Sequence, residues 1–372
     1  MATDLKVPYL NLAQIYSHYK IEMNQAWKRV VSQGWFVLGP EVKVFEKAFA
    51  KKIESHWSVG VGNGTDAIEM ALRALNIGPG DEVITTPLTA MPTLMAIALT
   101  GASIRLADVY QDSGLINPSN IEQAITPKTK AVIPVHLYGQ ICDMKEILRI
   151  VKKHRLYLVE DCAQAHGAIY NNHYAGYWGD FAAWSFYPTK NLGAFGDAGA
   201  ISSRKKKGEK KIMELRNYGQ KKTYEHISIG RNSRLDELQA AILSERLKKL
   251  SYEVAVRRKI AHRYQSELKG KVTIVSGFNE SSTNKSSYHL FVIVAPYSRD
   301  LFRKRLLKEG VETLVHYPIP AHLQKAFKDF FYKKGAFPAS EYLADRIVSL
   351  PLHPFLTETD IKFVIKSVKK II

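Results

Sequence analysis

The 372-residue chain is 46% hydrophobic and 24% charged, with 53 Lys+Arg against 35 Asp+Glu, a formal net charge of +18. That balance excludes a disordered or collagen-like chain, and two cysteines, Cys142 and Cys162, are too few for a disulfide framework or a structural zinc site. The longest apolar stretch, residues 90–99, is interrupted by Pro92 and Thr93 and is too short to span a bilayer, while the excess of positive charge points to an anionic partner.

Hydrophobic spacing predicts a strand over 55–62 that enters a glycine turn, then a helix over 66–75. Gly78-Pro79-Gly80 ends that helix, and residues 81–86 read as the next strand. A helix over 92–99, a strand over 103–108 and a short helix over 117–124 with Asn117 as its cap follow. Residues 130–136 read as a strand, 144–153 as a helix and 156–160 as a buried strand. This β-α alternation predicts an α/β domain with a mainly parallel sheet. After Arg234 the pattern changes. Residues 235–261 form one long helix or a broken pair, followed by a strand at 289–294, a helix at 299–309, a strand-like 313–317 and a final helix at 359–370. The division expected is a large domain over 1–247 and a smaller α+β domain over 248–372. The basic run RKKKGEKK at 204–211 reads as a solvated loop.

Three features fall at βα junctions, where open α/β sheets bind ligands. In Gly60-Val61-Gly62-Asn63-Gly64-Thr65-Asp66 a strand meets a helix through glycines, so free N–H groups and the Thr65 hydroxyl can take a phosphate. A tight turn explains the same residues equally well. A dinucleotide fingerprint fits badly, because Asp81 and Glu82 open the next strand instead of closing one. In Glu160-Asp161-Cys162-Ala163-Gln164, Asp161 ends a buried strand, where a carboxylate needs a cationic partner or caps the following turn. Lys190 lies between the aromatic segment Trp184–Tyr187 and the glycine-rich stretch from Gly193 to Gly199. A lysine in a partly desolvated pocket has a lowered pKa and can attack an aldehyde. Ser185 can reach the same phosphate as Gly64 and Thr65. A phosphate cradle, a buried aspartate and a lysine are together what pyridoxal phosphate requires.

These motifs resemble the sugar-nucleotide aminotransferases of the DegT/DnrJ/EryC1/StrS family. The resemblance runs from VPYLNL at Val7 to SLPLHP at Ser349 and includes GWFVLGPEVKVFE, GNGTDAI, PVHLYGQ, VEDCAQAHGA, SFYPTKNLGAFGDAGA, LRNYG, SRLDELQAA and HYPIPAHLQ. It implies a fold type I pyridoxal-phosphate transferase, with a large domain whose mostly parallel mixed sheet lies between helices and a smaller C-terminal α+β domain. It implies Lys190 as the residue bonded to the cofactor aldehyde, Asp161 at the ring nitrogen, Gln164 near the ring hydroxyl, and Gly64, Thr65 and Ser185 at the phosphate. It implies that Asn232 reaches the phosphate site of a neighbouring subunit, and therefore a homodimer with composite sites. Tyr187, Lys222, His316 and Tyr317 match positions lining the sugar-nucleotide pocket, with Trp35 and Phe36 flanking the sugar. Ala90 stands where many relatives place an aromatic that stacks on the ring, leaving that contact to a neighbour such as Met91. Relatives with histidine at the lysine position are dehydratases, and Lys190 argues against that reaction.

The implied reaction moves an amino group from L-glutamate to a nucleotide-linked keto-sugar, carbon 3 of a dTDP-3-keto-6-deoxyhexose foremost. The alternative is carbon 4 of a UDP-, GDP- or dTDP-linked 4-keto sugar. No helix-turn-helix extension or basic arm speaks for nucleic acid. No metal is expected. With no signal-peptide core in MATDLKVPYL, the expectation is a soluble cytoplasmic protein that binds no membrane.

Overall fold

The computed structural model describes residues 5–277, 280–330 and 332–372, apart from the side chains of 328–330. The chain begins with helices α1 (Leu12–Gln33) and α2 (Pro40–Lys52). It continues through β1 (Trp57–Val61), α3 (Gly64–Ala74), β2 (Glu82–Thr85), α4 (Met91–Leu99) and β3 (Ser103–Leu106). Next come α5 (Pro118–Ala124), β4 (Thr129–Val132), α6 (Met144–His154) and β5 (Tyr157–Asp161). A small hairpin, β6 (Ile169–Tyr170) with β7 (His173–Tyr174), precedes β8 (Phe181–Ser185) and β9 (Gly199–Ser203). Helix α7 (Glu209–Leu215) and the hairpin β10 (Gln220–Lys222) with β11 (Glu225–His226) lead into α8 (Glu237–Leu268). The C-terminal part holds β12 (Thr273–Ile274), β13 (Phe291–Val294), α9 (Arg299–Lys308), α10 (Pro338–Arg346), β14 (Ile347–Leu350) and α11 (Glu358–Ile371).

The large sheet has the order β1-β9-β8-β5-β4-β2-β3. Strands β3, β2, β4, β5 and β8 run parallel, β9 is antiparallel to both its neighbours, and the edge strand β1 again has the direction of the first five. Successive residues of a strand face opposite sides of a sheet. Val83 and Ala131 therefore join Ile68 and Leu72 of α3 and Leu94 of α4 in one core. Their neighbours Ile84 and Val132 join Ile121 of α5 and Ile147 of α6 in another. Both faces are covered, which is why the parallel strands read as continuous apolar runs. A further core joins Phe45 and Phe49 of α2 to Trp184 of β8 and Leu243 of α8. The second sheet, β12-β13-β14, is antiparallel and packs on α8, α9 and α11 through Phe291, Val348, Tyr264, Phe302 and Val364.

The expected strands and helices of the first 160 residues appear within a few positions, and Asn117 caps α5 by accepting the Ser119 N–H at 2.9 Å. The segment expected as one long helix or a broken pair at 235–261 is a single helix, the 32-residue α8 (Glu237–Leu268), and residue 247 falls inside it. Residues 313–317 are not a strand: Leu314 makes one bridge to Ser349, and Pro318 and Pro320 just beyond offer no N–H to extend a ladder. Residues 204–207 of the basic run are exposed, with Arg204 3.8 Å above the Tyr177 ring. Among the described residues no helix is long and apolar enough to cross a membrane.

Candidate active site

A cavity of about 260 Å³ opens beside the C-terminal ends of β5 and β8, and its walls include Gly64, Thr65, Asp161, Gln164, Ser185, Tyr187 and Lys190. At one end is the N-terminus of α3. Asn63 caps the helix, its Oδ1 accepting the Asp66 N–H at 2.9 Å. The amides of Gly64 and Thr65 make no bond within the helix and carry the positive end of its dipole. Only glycine fits at position 64, because a Cβ there would lie 2.7 Å from Ser185 Cβ. Gly199 is packed as tightly: a Cβ there would come within 2.5 Å of the Asn63 carbonyl. Strands β8 and β9 thus press against the turn and bring the Ser185 hydroxyl to the free amides. The turn is braced from behind by Ser233, which accepts from Gly62 N at 2.9 Å and donates to Asp66 Oδ2 at 2.6 Å.

Asp161 ends β5 and is 5% exposed. Its Oδ2 accepts from Thr93 Oγ1 at 2.8 Å and its Oδ1 from Ala163 N at 3.1 Å. The strand end is fixed by the preceding residue. The Glu160 carboxylate binds His136 Nε2 at 2.9 Å and accepts the N–H groups of Gly176 and Trp178 at 3.0 and 2.8 Å. That network commits His136 and Glu160, which with Cys162 form a buried cluster of metal-ligand type. Gln164 is held at both ends: its Oε1 accepts from Tyr138 N at 2.7 Å and its Nε2 donates to the Tyr317 hydroxyl at 2.9 Å.

Lys190 follows β8 in a turn closed by its N–H on the Tyr187 carbonyl at 2.8 Å. Burial pushes its ammonium down to about 8, against the opposing pull of the Asp161 carboxylate. A sizeable neutral fraction near pH 8 makes it a competent nucleophile and proton carrier.

The other anticipated residues lie outside this cavity's lining. His316 is tied to Ser349 Oγ at 2.9 Å through Nδ1, and burial, then Lys190, push its ring down to about 4. Tyr317 touches the site through Gln164. Trp35 and Phe36 are exposed between α1 and α2, Lys222 is exposed on β10, and Asn232 is exposed beside Asn217. Met91 packs on the apolar core beneath α4, while Ala90, Pro92 and Thr93 face the cavity. Sequence reasoning missed Thr93, Tyr138 and Asp197. Thr89, which precedes α4, and Thr93 within it bring their hydroxyls to 3.3 Å, a contact that no sequence spacing singles out.

The donor set fits pyridoxal phosphate. Free amides and two hydroxyls on one wall are donors a phosphate would take, the buried Asp161 carboxylate would suit a protonated ring nitrogen, and Lys190 is an amine an aldehyde would need. The DegT/DnrJ/EryC1/StrS aminotransferase family model matches residues 18–369. The chain belongs to that family. It is 42% identical over 364 residues to the dTDP-3-amino-3,6-dideoxy-alpha-D-galactopyranose transaminase of Aneurinibacillus thermoaerophilus, covering 98% of this chain and 99% of that one. The solved structure of DesV from S. venezuelae superposes with a TM-score of 0.95 at 39% identity, over 98% of both chains. That of ntda from Bacillus subtilis with bound cofactor PMP superposes at 0.92 with 32% identity, over 98% of this chain and 85% of that one. This family member is a pyridoxal-phosphate-dependent sugar aminotransferase of the fold type I architecture.

Proposed function

We propose that the enzyme transfers an amino group from L-glutamate to carbon 3 of a dTDP-linked 3-keto-6-deoxyhexose, in the cytoplasm, as a step in deoxyamino-sugar synthesis. The observation that carries the chemistry is the single cavity shared by Lys190, Asp161 and the free amides of α3. The choice of carbon 3 and of dTDP is supported by the 42% identity to the dTDP-3-amino-3,6-dideoxy-alpha-D-galactopyranose transaminase.

When bound, the cofactor supplies the aldehyde and the electron-withdrawing ring that carry the amino group between substrates. The chain does the rest. Gly64, Thr65 and Ser185 anchor the phosphate, Asp161 holds a proton on the ring nitrogen and Gln164 orients the ring hydroxyl. Lys190 moves the proton at the reacting carbon. Tyr187, His316, Tyr317, Trp35, Phe36 and Lys222 serve the sugar-nucleotide side, and the net +18 draws in its diphosphate. Asn232 completes the phosphate site of a second copy of the chain. The exposed Trp35, Phe36, Tyr224 and Ile229 support a covering partner at these loops. We take 1–247 as the cofactor-binding domain and 248–372 as the smaller domain, with α8 belonging to both.

The test is a paired assay on purified protein, recording the cofactor band while L-glutamate and then dTDP-, UDP- and GDP-linked 3-keto and 4-keto sugars are added. Loss of the band with glutamate and its return with a dTDP-3-keto sugar, with nitrogen at carbon 3 by NMR, is the expected result. Return only with a 4-keto sugar overturns the carbon-3 assignment.

A further inference from the structure

One carboxylate on the wall of the cofactor cavity has no task in the proposed reaction: Asp197, which lines it with Tyr187 and Lys190. Its backbone is held from both sides. Two residues earlier, Phe195 donates its N–H to Gln239 Oε1 at 2.8 Å, and its carbonyl accepts from Gln239 Nε2 at 3.2 Å. One residue later, the Ala198 carbonyl accepts from Phe186 N at 2.8 Å, next to the ladder position that pairs Ser185 with Gly199. The residue is exposed, and among the described residues its side chain makes no hydrogen bond or ion pair. Two carboxylates nearby differ in this. Asp66 accepts from Ser233 Oγ at 2.6 Å, and Asp161 from Thr93 Oγ1 at 2.8 Å.

The strands place Asp197 at the mouth of the cavity. Ser185 and Gly199 lie opposite each other beside the free amides of α3, and Tyr187 and Asp197 are each two residues beyond that pair. A strand advances ~3.3 Å per residue, which sets the two side chains up to about 7 Å outward from the phosphate end. Tyr187 is 52% exposed there. Three molecules use this cavity in the transaminase reading. The cofactor brings a phosphate and L-glutamate brings two carboxylates, anions that an unpaired carboxylate repels. The glutamate amino group goes to the Lys190 end, where it reacts. The hexose brings hydroxyl donors, and an ionised carboxylate, which only accepts, binds a hydroxyl more strongly than a neutral acceptor does.

We infer that Asp197 accepts a hydrogen bond from a hexose hydroxyl next to the reacting carbon and so selects a hydroxylated sugar. The inference deepens the transaminase reading and rests on it. Carbon 3 of a 3-keto-6-deoxyhexose lies between carbons 2 and 4, and each of these carries a hydroxyl. A sugar lacking the hydroxyl that Asp197 meets leaves the carboxylate unpaired at the mouth and binds less well.

The test uses the holoenzyme with Asp197→Asn and Asp197→Ala. Calorimetry reads the binding of dTDP-6-deoxyglucose, which has the hydroxyls and neither an amino nor a keto group, and of its 2-deoxy and 4-deoxy analogues. The cofactor band reads the glutamate concentration giving the half-maximal change. Losing one charge-assisted bond weakens the parent sugar roughly tenfold in D197A and less in D197N. One of the two analogues binds the wild type more weakly by a similar factor and loses nothing further in D197A, because the hydroxyl and its acceptor form a single contact. The glutamate concentration does not rise, since removing a negative charge does not disfavour an anion, whereas a site merely distorted by the substitution would raise it. D197A that binds the parent sugar as the wild type does, two analogues that bind the wild type as tightly as the parent, or a weaker sugar accompanied by a weaker glutamate response each overturns the inference and leaves the transaminase intact. A wild type that answers glutamate but binds no dTDP-sugar removes the dTDP reading, and this inference with it.

Discussion

Thr93 Oγ1 donates to Asp161 Oδ2 at 2.8 Å, and both residues are buried on the wall of the cofactor cavity. The hydroxyl is itself 3.3 Å from that of Thr89. A helix that begins at Met91 thus supports the carboxylate at the end of a strand 68 residues later in the chain. A hydrogen bond to a charged group contributes ~1.5–3 kcal/mol. Thr93→Val keeps the shape and removes the donor, so Asp161 loses both its orientation and support for its charge. Cofactor affinity is expected to fall roughly tenfold or more by the same arithmetic, with Thr93→Ser restoring most of it. Titration of apo protein with pyridoxal phosphate checks this; unchanged affinity in the valine variant would remove Thr93 from the site.

The lowered pKa of Lys190 has consequences for activity and for stability. In the folded chain its ammonium titrates near 8, and the ordinary lysine value is 10.5. Between those limits the unfolded chain binds more protons, so stability rises with pH. The penalty for burying the charge is fully present below about 8 and is gone above about 10.5. Cofactor-free Lys190→Met is therefore expected to melt above the wild type at pH 7, with the gap closing toward pH 10. Uptake of cofactor by wild-type apo protein should quicken with pH up to about 8 and then level off, since the free amine is the reactive form. Lys190→Ala should show no amino transfer. Melting curves and stopped-flow absorbance across pH 6–10 report these outcomes.

Gly64 shows how a favourable local change becomes unfavourable in context. Replacing glycine by alanine in a helix gains up to ~1 kcal/mol from propensity alone. Here the new methyl would lie 2.7 Å from Ser185 Cβ and 3.3 Å from its Cα, atoms fixed in β8. Overpacking of that kind costs about 1–3 kcal/mol, so the clash prevails. Gly64→Ala is expected to lower the melting temperature and to weaken phosphate anchoring. Adding Ser185→Gly removes the clashing atom and should recover the melting temperature, but not the cofactor affinity, because the hydroxyl is gone. Recovery of both by the double variant would mean that Ser185 does not contact the phosphate.

How legible this protein was depended on how local each feature is. The parallel strands announced themselves as apolar runs bounded by Gly and Pro, and the order phosphate cradle, aspartate, lysine followed the strand ends that meet at the cavity. Tyr138 and Thr93 left no such trace. Each acts through contacts to distant segments, Tyr138 with its N–H on Gln164 and its hydroxyl on the His316 carbonyl, Thr93 with its hydroxyl on Asp161, and neither spacing nor periodicity encodes such pairings. The expected strand at 313–317 failed for the converse reason. Its residues have strand composition, but only Leu314 meets a partner and the prolines after it end the pairing.

The cap of α2 carries the same non-local logic into a prediction. Gly39 at its N-cap has no side chain to bond the first turn, and Glu237, 195 residues or more away in sequence, supplies the carboxylate instead. Its Oε1 accepts from Gly39 N at 2.7 Å and Val42 N at 3.0 Å, and its Oε2 from Glu41 N at 2.8 Å. The residue is fully buried and opens α8, so one side chain joins the starts of two helices and fixes the loop bearing Trp35 and Phe36. Glu237→Gln keeps the shape but replaces one accepting oxygen with a donor facing an amide. That loses a charged bond and leaves a buried N–H unmet, together a cost of about 2.5–6 kcal/mol. Glu237→Ala leaves all three amides unmet and should cost more. Urea unfolding would show the order wild type, glutamine, alanine. Because the loop rather than the cavity is released, cofactor affinity should hold in the glutamine variant while the Michaelis constant for the sugar-nucleotide rises. An unchanged Michaelis constant in a destabilised variant would take Trp35 and Phe36 out of the sugar pocket.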